Sequence, residues 1–335
     1  MNPVKFNKRI TSLSNLKENV RARDLYKFLL DDDAIWYQAY QNIYPNKGAF
    51  TKGINEDTLD NFDKDRISKI ITSLKDGTYS PNPVRRVLIP KSNGNTRPLG
   101  IPTGNDKLVQ EACRIILEAI YEPKFSNSSH GFRPNRSCHT ALNDVVKWIN
   151  TKWFIEFDIK GCFDNIDHDI LISILNEKID NRNFIDLIKK FLRAGYLENW
   201  KYNETYSGTP QGGIISPILA NIYLDKLDKF IENKCNIIDH TFEARKANPE
   251  YIKLNGELCH AKRGIPTLER ILTDIEQYIE YNVTPISNDE VWDTFRKSFI
   301  LRDQINEGGD TFIYNGLVFD FSPTSKGTNL DIYIQ

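Results

Sequence analysis

The chain has 335 residues, of which 40% are hydrophobic and 27% are charged, a composition typical of a globular protein with two or three subdomains. It contains no run of about 18 apolar residues and no apolar stretch after its charged N-terminus, so we expect neither a membrane span nor a signal peptide. The five cysteines form no CxxC pair, which favours reduced thiols in the cytoplasm over a disulfide framework or a zinc site.

The formal net charge of −1 conceals an uneven distribution along the chain. Residues 1–263 carry a net charge of +6, and residues 264–335 carry −7. A basic body suits a polyanionic partner, although an excess of this size does not by itself indicate nucleic acid. The change of character at residue 264 predicts an acidic tail that is unrelated to the rest of the chain.

Apolar residues at helical spacing predict helices within residues 1–45, a polar loop at 46–55 and a further helix from Leu59 to Leu74. The run of three acids at 31–33 invites a metal interpretation. Consecutive side chains diverge around a helix, however, so we favour a solvated helix cap for this run.

A β-hairpin is predicted next, with strands at 84–91 and 96–102 joined by an Asn-Gly turn. Lys91 and Arg97 stand on the two arms beside the turn. Two cations near a hairpin tip can grip a phosphate chain, and a solvated hairpin is the alternative.

A strong helical pattern runs from Asp106 to Phe125 and leads into the polar loop 126–137. This loop contains a phenylalanine and two arginines, Arg133 and Arg136. A loop of this composition fits contact with the backbone of a nucleic acid. A helix from about residue 140 to 149 follows it.

Residues 153–164 are the segment around which the rest of the chain is organised. Read with a period of two, they predict a strand with one wholly apolar face and one face that ends in the acids Glu156 and Asp158. A buried strand with a carboxylate near its end can hold a metal ion rigidly, and an edge strand with solvated acids is the alternative. The pattern breaks at Gly161, and a helix is predicted to begin near Asp167.

Two helices are predicted between residues 170 and 192, followed by a short strand from Lys201 that runs into a glycine loop. Gly212 and Gly213 lie in this loop, just ahead of a helix predicted from 218 to about 231. Paired glycines before a helix N-terminus allow a backbone or a base to approach closely.

These motifs stand in a fixed order: the hairpin, then HGFRPNRS, then FDIKGCFDNIDH, then GTPQGGIISPILANIYL. In this order they resemble the reverse transcriptases (RNA-directed DNA polymerases) encoded by group II introns. The resemblance implies an α/β (α+β) right-hand fold with fingers at 46–152 and a partial palm at 153–263. The N-terminal helical extension would be 1–45, and 264–335 would form a small α+β tail of unknown origin.

The resemblance also implies roles in nucleotide binding. Asp158 would bind the catalytic Mg²⁺ ions, with the Ile159 carbonyl as a further ligand. Phe163 would reject a ribose 2′-OH by its size, and Lys91 and Arg97 would hold the triphosphate. Two-metal phosphoryl transfer requires such hard oxygen ligands and fixed cations.

Further implied contacts concern the template and the primer. Gln211 would pack at the nucleotide pocket, and Arg133, Arg136, Gly212 and Gly213 would contact nucleic acid. The implied partners are intron RNA, or an RNA template with a DNA primer, together with deoxynucleoside triphosphates, and no membrane. The oligomeric state stays open.

One family motif has no counterpart in the sequence. The second palm hairpin should carry Tyr-Ala-Asp-Asp, and no YxDD occurs among the 335 residues. We therefore predict a reverse transcriptase domain that is truncated and catalytically inactive alone. A non-catalytic module that binds RNA or a primer–template is the alternative, and a poorly folded remnant is a third hypothesis.

Overall fold

The computed structural model describes the backbone of most of the chain up to residue 246 and of three C-terminal strands. The described residues are 3–60, 62–90, 94, 96–147, 159, 161–209, 212–246, 311–314, 317–324 and 327–334. Within residues 234–246 and the three C-terminal strands, only the backbone is described. The predicted strand around Asp158 and most of the predicted tail at 264–335 therefore lie outside the described residues.

The chain forms two compact units, each built from separate stretches of sequence. One unit contains residues 1–135 and 162–225, and the other contains 136–161 and 226–335. The predicted domain boundaries after residues 45, 152 and 263 stay predictions.

Helices are the commonest elements of the described structure. Their bounds are α1 Pro3–Ser14, α2 Leu25–Asp31, α3 Asp33–Ile43, α4 Lys64–Lys75, α5 Gly104–Tyr121, α6 Cys138–Val145, α7 His168–Lys178, α8 Arg182–Leu192 and α9 Ser216–Lys246. The helix predicted to end near residue 231 thus continues for about four more turns. No helix in the described part of the chain is both long and apolar enough to cross a lipid bilayer.

Two sheets accompany the helices, which confirms the mixed α and β fold class. The strands are β1 Val84–Pro90, β2 Thr96–Ile101, β3 Tyr196–Glu198, β4 Lys201–Asn203, β5 Thr311–Tyr314, β6 Leu317–Thr324 and β7 Gly327–Ile334. The first sheet has the order β2-β1-β3-β4, in which β1 and β3 are parallel and the other pairs antiparallel. The second has the order β5-β6-β7 and is antiparallel.

The predicted hairpin is confirmed by the pairing of β1 with β2, in which Ile89 is opposite Arg97. Strand β3 was not predicted, because three residues are too few to show an alternating pattern. Its pairing with the start of β1 attaches the hairpin to the segment that leads into the glycine loop.

Helix α5 is the centre of the first unit. Its apolar positions Leu108, Ala112 and Ile116 have no exposed surface, and Trp36 on α3 is equally buried. An 18-residue helix buried on this scale contributes stability mainly through the apolar area that it removes from water.

Two details of the N-terminal half differ from the predictions. Helix α4 begins at Lys64 and not at Leu59, because Asp63 caps it by accepting from Arg66 N at 2.7 Å, whereas Leu59 is buried in the preceding loop. Asp32 caps α3 as predicted, by accepting from Ala34 N at 3.1 Å, but it is buried rather than solvated.

Candidate functional site

Two loops from separate motifs are joined by their backbones. Gly208 N donates to the carbonyl of Ile166 and Thr209 N donates to the carbonyl of Phe163, each at 2.7 Å. The turn 161–166 follows the segment of Asp158, and 207–209 lead into the glycine loop. These two bonds hold residues 163–166 of the motif FDIKGCFDNIDH against residues 208–209 of the motif GTPQGG.

Gly208 is required at this junction by its conformation and its neighbours. Its φ is +80°, and a Cβ at this position would lie 2.6 Å from the Asp164 carbonyl oxygen and 2.7 Å from that of Phe163. The buried His168 bonds the Gly208 carbonyl through Nε2 at 2.7 Å, so Nε2 carries the proton. The junction therefore has no room for a side chain on Gly208.

Phe163 is half-buried, and its ring meets that of Phe132 edge-on. The ring centroids are 6.2 Å apart and the planes lie at 87°. This arrangement is favourable for two aromatic rings. Phe132 comes from the motif HGFRPNRS, so three motifs converge at Phe163.

The glycine loop also packs against strand β2. Gly212 has a φ of +100°, and a Cβ there would lie 2.5 Å from the Gly100 carbonyl oxygen and 2.6 Å from Leu99 Cδ1. Leu99 and Arg97 are two residues apart on β2 and share a face. Arg97, which is exposed, therefore stands on the face of β2 that meets the glycine loop, about 6–7 Å further along the strand.

Gln110 on α5 positions the end of the glycine loop. Its side chain is buried, and its Oε1 accepts from Ile214 N at 2.9 Å and from Ile215 N at 3.5 Å. Sequence reasoning missed Gln110. A glutamine among the apolar residues of a strongly periodic helix was the available signal, since buried amides require partners.

A second buried polar group anchors the start of α5. The Asp106 carboxylate is 1% exposed and accepts from Tyr79 OH at 2.6 Å, Thr103 Oγ1 at 2.7 Å and Asn82 N at 3.0 Å. Burial, and after it the negative charge of Asp106, raises the pKa of Tyr79 well above its ordinary value. The network ties the residues before β1 to the N-terminus of α5.

Cavities adjoin these elements on both sides of Gly100. A cavity of about 120 Å³ is lined by Arg86, Gly100, Asp164 and Gly208, among others. A larger cavity of about 410 Å³ lies on the side of Leu99 and Gly212 and is also lined by Asn42, Lys107 and Glu111.

Comparison with known proteins identifies the family to which these motifs belong. Residues 89–244 match the family model described as reverse transcriptase (RNA-dependent DNA polymerase). Over 247 residues the chain is 58% identical to the group II intron-encoded protein LtrA of Lactococcus lactis subsp. cremoris, covering 73% of this chain and 41% of that protein. Residues 89–244 are a reverse transcriptase domain of the group II intron type.

Other relatives of the reverse transcriptase domain are also intron-encoded. A 91 kDa protein in the cob intron of Schizosaccharomyces pombe is 50% identical over 244 residues, which are 72% of this chain and 30% of that protein. The chain thus spans less than half of either relative. Among solved structures, a chain of a partial Cas6-RT-Cas1–Cas2 complex aligns with 66% of this chain and 37% of its own at 22% identity and a TM-score of 0.43.

Arg133 of the reverse transcriptase domain has a structural role in the loop 126–137. Its side chain is 4% exposed and forms an ion pair with Glu122 at 3.0 Å. It also donates to the carbonyls of Ser126 at 2.6 Å and Ser129 at 2.7 Å. These bonds leave little of the guanidinium for a phosphate, and the predicted nucleic-acid contact of Arg133 stays a prediction.

The remaining predicted residues fall into two groups. Asp158, Lys91 and Gln211 lie outside the described residues of the reverse transcriptase domain. Arg136 and Ile159 are both half-buried and belong to the second compact unit. The metal site predicted at Asp158 and the Ile159 carbonyl is therefore untested.

Proposed function

We propose that the reverse transcriptase domain binds an RNA template with a DNA primer and a deoxynucleoside triphosphate, and that the chain alone does not extend the primer. The observation that supports nucleotide binding is the backbone junction of Phe163 with Gly208 and Thr209. It holds the residue proposed to sense the sugar next to the loop proposed to line the nucleotide pocket, which contains Gln211.

The proposed triphosphate contacts are Arg97 and Lys91. Arg97 shares a face of β2 with Leu99, which packs against Gly212. A guanidinium in this position can bind phosphate oxygens through two parallel hydrogen bonds, and Lys91 on the opposite arm would add a second cation.

Reverse transcriptases generally use divalent metal ions, and the described residues do not supply a site for them. No group of three or more His, Cys, Asp or Glu side chains among them could hold an ion. The sequence offers Asp158 as one carboxylate and has no YxDD motif to provide the pair that the family uses. Missing metal ligands remove stabilisation of the transition state, and each 1.4 kcal/mol lost lowers the rate about tenfold. We therefore expect no detectable extension.

Binding and chemistry can be tested separately with the full chain. Fluorescence anisotropy with a labelled DNA primer on a longer RNA template should show affinity that falls with salt, with a log–log slope set by the number of phosphates contacted. Extension of the same primer with Mg²⁺ and all four deoxynucleotides should be undetectable. Extension that disappears in Asp158→Ala would refute the proposed inactivity, and binding that does not depend on salt would refute the proposed interface.

We further propose that the natural RNA partner is a group II intron and that the protein acts in the cytoplasm. The intron-encoded relatives support this choice of RNA. Competition between a labelled group II intron RNA and an unrelated structured RNA of equal length tests it. Equal affinity for the two RNAs would contradict intron specificity and leave only general RNA binding.

A further inference from the structure

The hairpin of β3 and β4 and the loop after it present three large aromatic side chains to solvent. The exposed fractions are 92% for Trp200, 82% for Tyr206 and 53% for Tyr202. Trp200 stands in the turn between β3 and β4, and the Tyr202 ring on β4 packs over Gly195. The Trp200 indole, at the tip, is almost without contacts.

The tip also stores backbone strain. Asn199 and Trp200 both have positive φ, +50° and +63°, in a two-residue turn. Such turns strongly prefer glycine at the second position, because a side chain there is crowded by the backbone. A tryptophan at this position strains the turn, and its side chain is not buried in return. Strain that is retained at an exposed residue indicates a function.

The charge of the surrounding sheet indicates the kind of partner. Strands β1 to β4 carry four cations, Arg85, Arg86, Arg97 and Lys201, against one acid, Glu198. Lys201 directly follows Trp200 and is exposed. Aromatic rings beside cations form the usual platform for single-stranded nucleic acid, in which bases stack and phosphates are neutralised.

We propose that Trp200 stacks on an unpaired base of a single-stranded RNA segment, with Lys201 on an adjacent phosphate. The inference rests on the proposed RNA binding by this domain and adds a contact outside the nucleotide site. Single-stranded RNA is required because the faces of paired bases are covered by their neighbours.

The test uses the full chain and a labelled, unstructured single-stranded RNA of about 16 nucleotides. Trp200→Gly suits the positive φ of the turn, so it should not lower the melting temperature, yet it should weaken RNA binding about tenfold. Trp200→Phe should retain most of the affinity, while the quenching of tryptophan fluorescence by bound RNA should decrease. Val4→Ala, which shortens an exposed apolar side chain on α1, is the control and should bind as the wild type does.

Salt dependence separates stacking from charge. Trp200→Gly should leave the slope of log affinity against log salt unchanged, and Lys201→Ala should reduce the slope by about one. An affinity for RNA in Trp200→Gly equal to that of the wild type would overturn the inference. So would a variant that keeps its RNA affinity but no longer self-associates or captures another protein. A wild-type chain that binds no RNA would instead refute the proposed function itself.

Discussion

The Arg133→Met variant should have a lower free energy of unfolding than the wild type. Its folded form should bind RNA as tightly as the wild type does. Methionine keeps the aliphatic stem of the side chain and removes its charge and donors. Breaking a buried ion pair from one side costs about 3–5 kcal/mol. Glu122 is 25% exposed and can be partly hydrated, so we expect the lower end of this range, about 3 kcal/mol.

The lost bonds to two carbonyls, at Ser126 and Ser129, belong to the same network and are not added separately. A loss of about 3 kcal/mol in a unit of about 200 residues corresponds to a decrease of about 6–12 °C in melting temperature. Urea unfolding followed by circular dichroism measures the change in free energy directly.

A matched control is Arg182→Met on α8, because the Arg182 side chain is 92% exposed and lies 3.7 Å from Asp186. Its loss should change stability by less than about 0.5 kcal/mol. The double variant Arg133→Met with Glu122→Gln should recover part of the loss, since no unpaired charge is left. The reasoning is refuted if Arg133→Met unfolds like the wild type but binds RNA several-fold more weakly.

Two further outcomes follow from packing and burial. Gly212→Ala should lower the free energy of unfolding in urea by at least about 2 kcal/mol, because φ is +100° and the new Cβ would lie 2.5 Å from the Gly100 carbonyl oxygen. The control Gly48→Ala, which has open space around it, should be near neutral. Burial raises the pKa of Cys113 above 9.0 and that of Tyr121 above 10.0. The folded state then keeps protons that the unfolded state releases, so the free energy of unfolding should fall above about pH 9. The fall with pH should be less steep in Cys113→Ala, and an equal dependence on pH in the two proteins would contradict this assignment.

Sequence reasoning succeeded where one segment carries a complete local signal. The Asn-Gly hairpin, the buried stripe of α5 and the helix after Asp167 each have a period and a boundary residue, and the structure confirms all three. The family assignment depended on the order of several motifs and is confirmed by the match over residues 89–244.

It could not supply contacts between separate segments of the chain. The predicted nucleic-acid contact of Arg133 stays a prediction, and its bond to Glu122, eleven positions earlier, had no sequence signal. Gln110 acts on amides that follow it by 104 and 105 positions, and no local pattern can show such a pair. Strand β3 has only three residues and is recognisable through its partner β1 alone.

The discontinuity of the first compact unit has a consequence for synthesis on the ribosome. Arg23 bonds Asp180, 157 positions later, and Ala22 pairs with Ile179 beside it. At translation rates of about 5–20 residues per second, the N-terminal helices wait roughly 8–30 seconds for these partners to emerge. During this interval α2 lacks α8, against which it packs in the folded unit, so the nascent chain should depend on chaperones until α8 has left the exit tunnel.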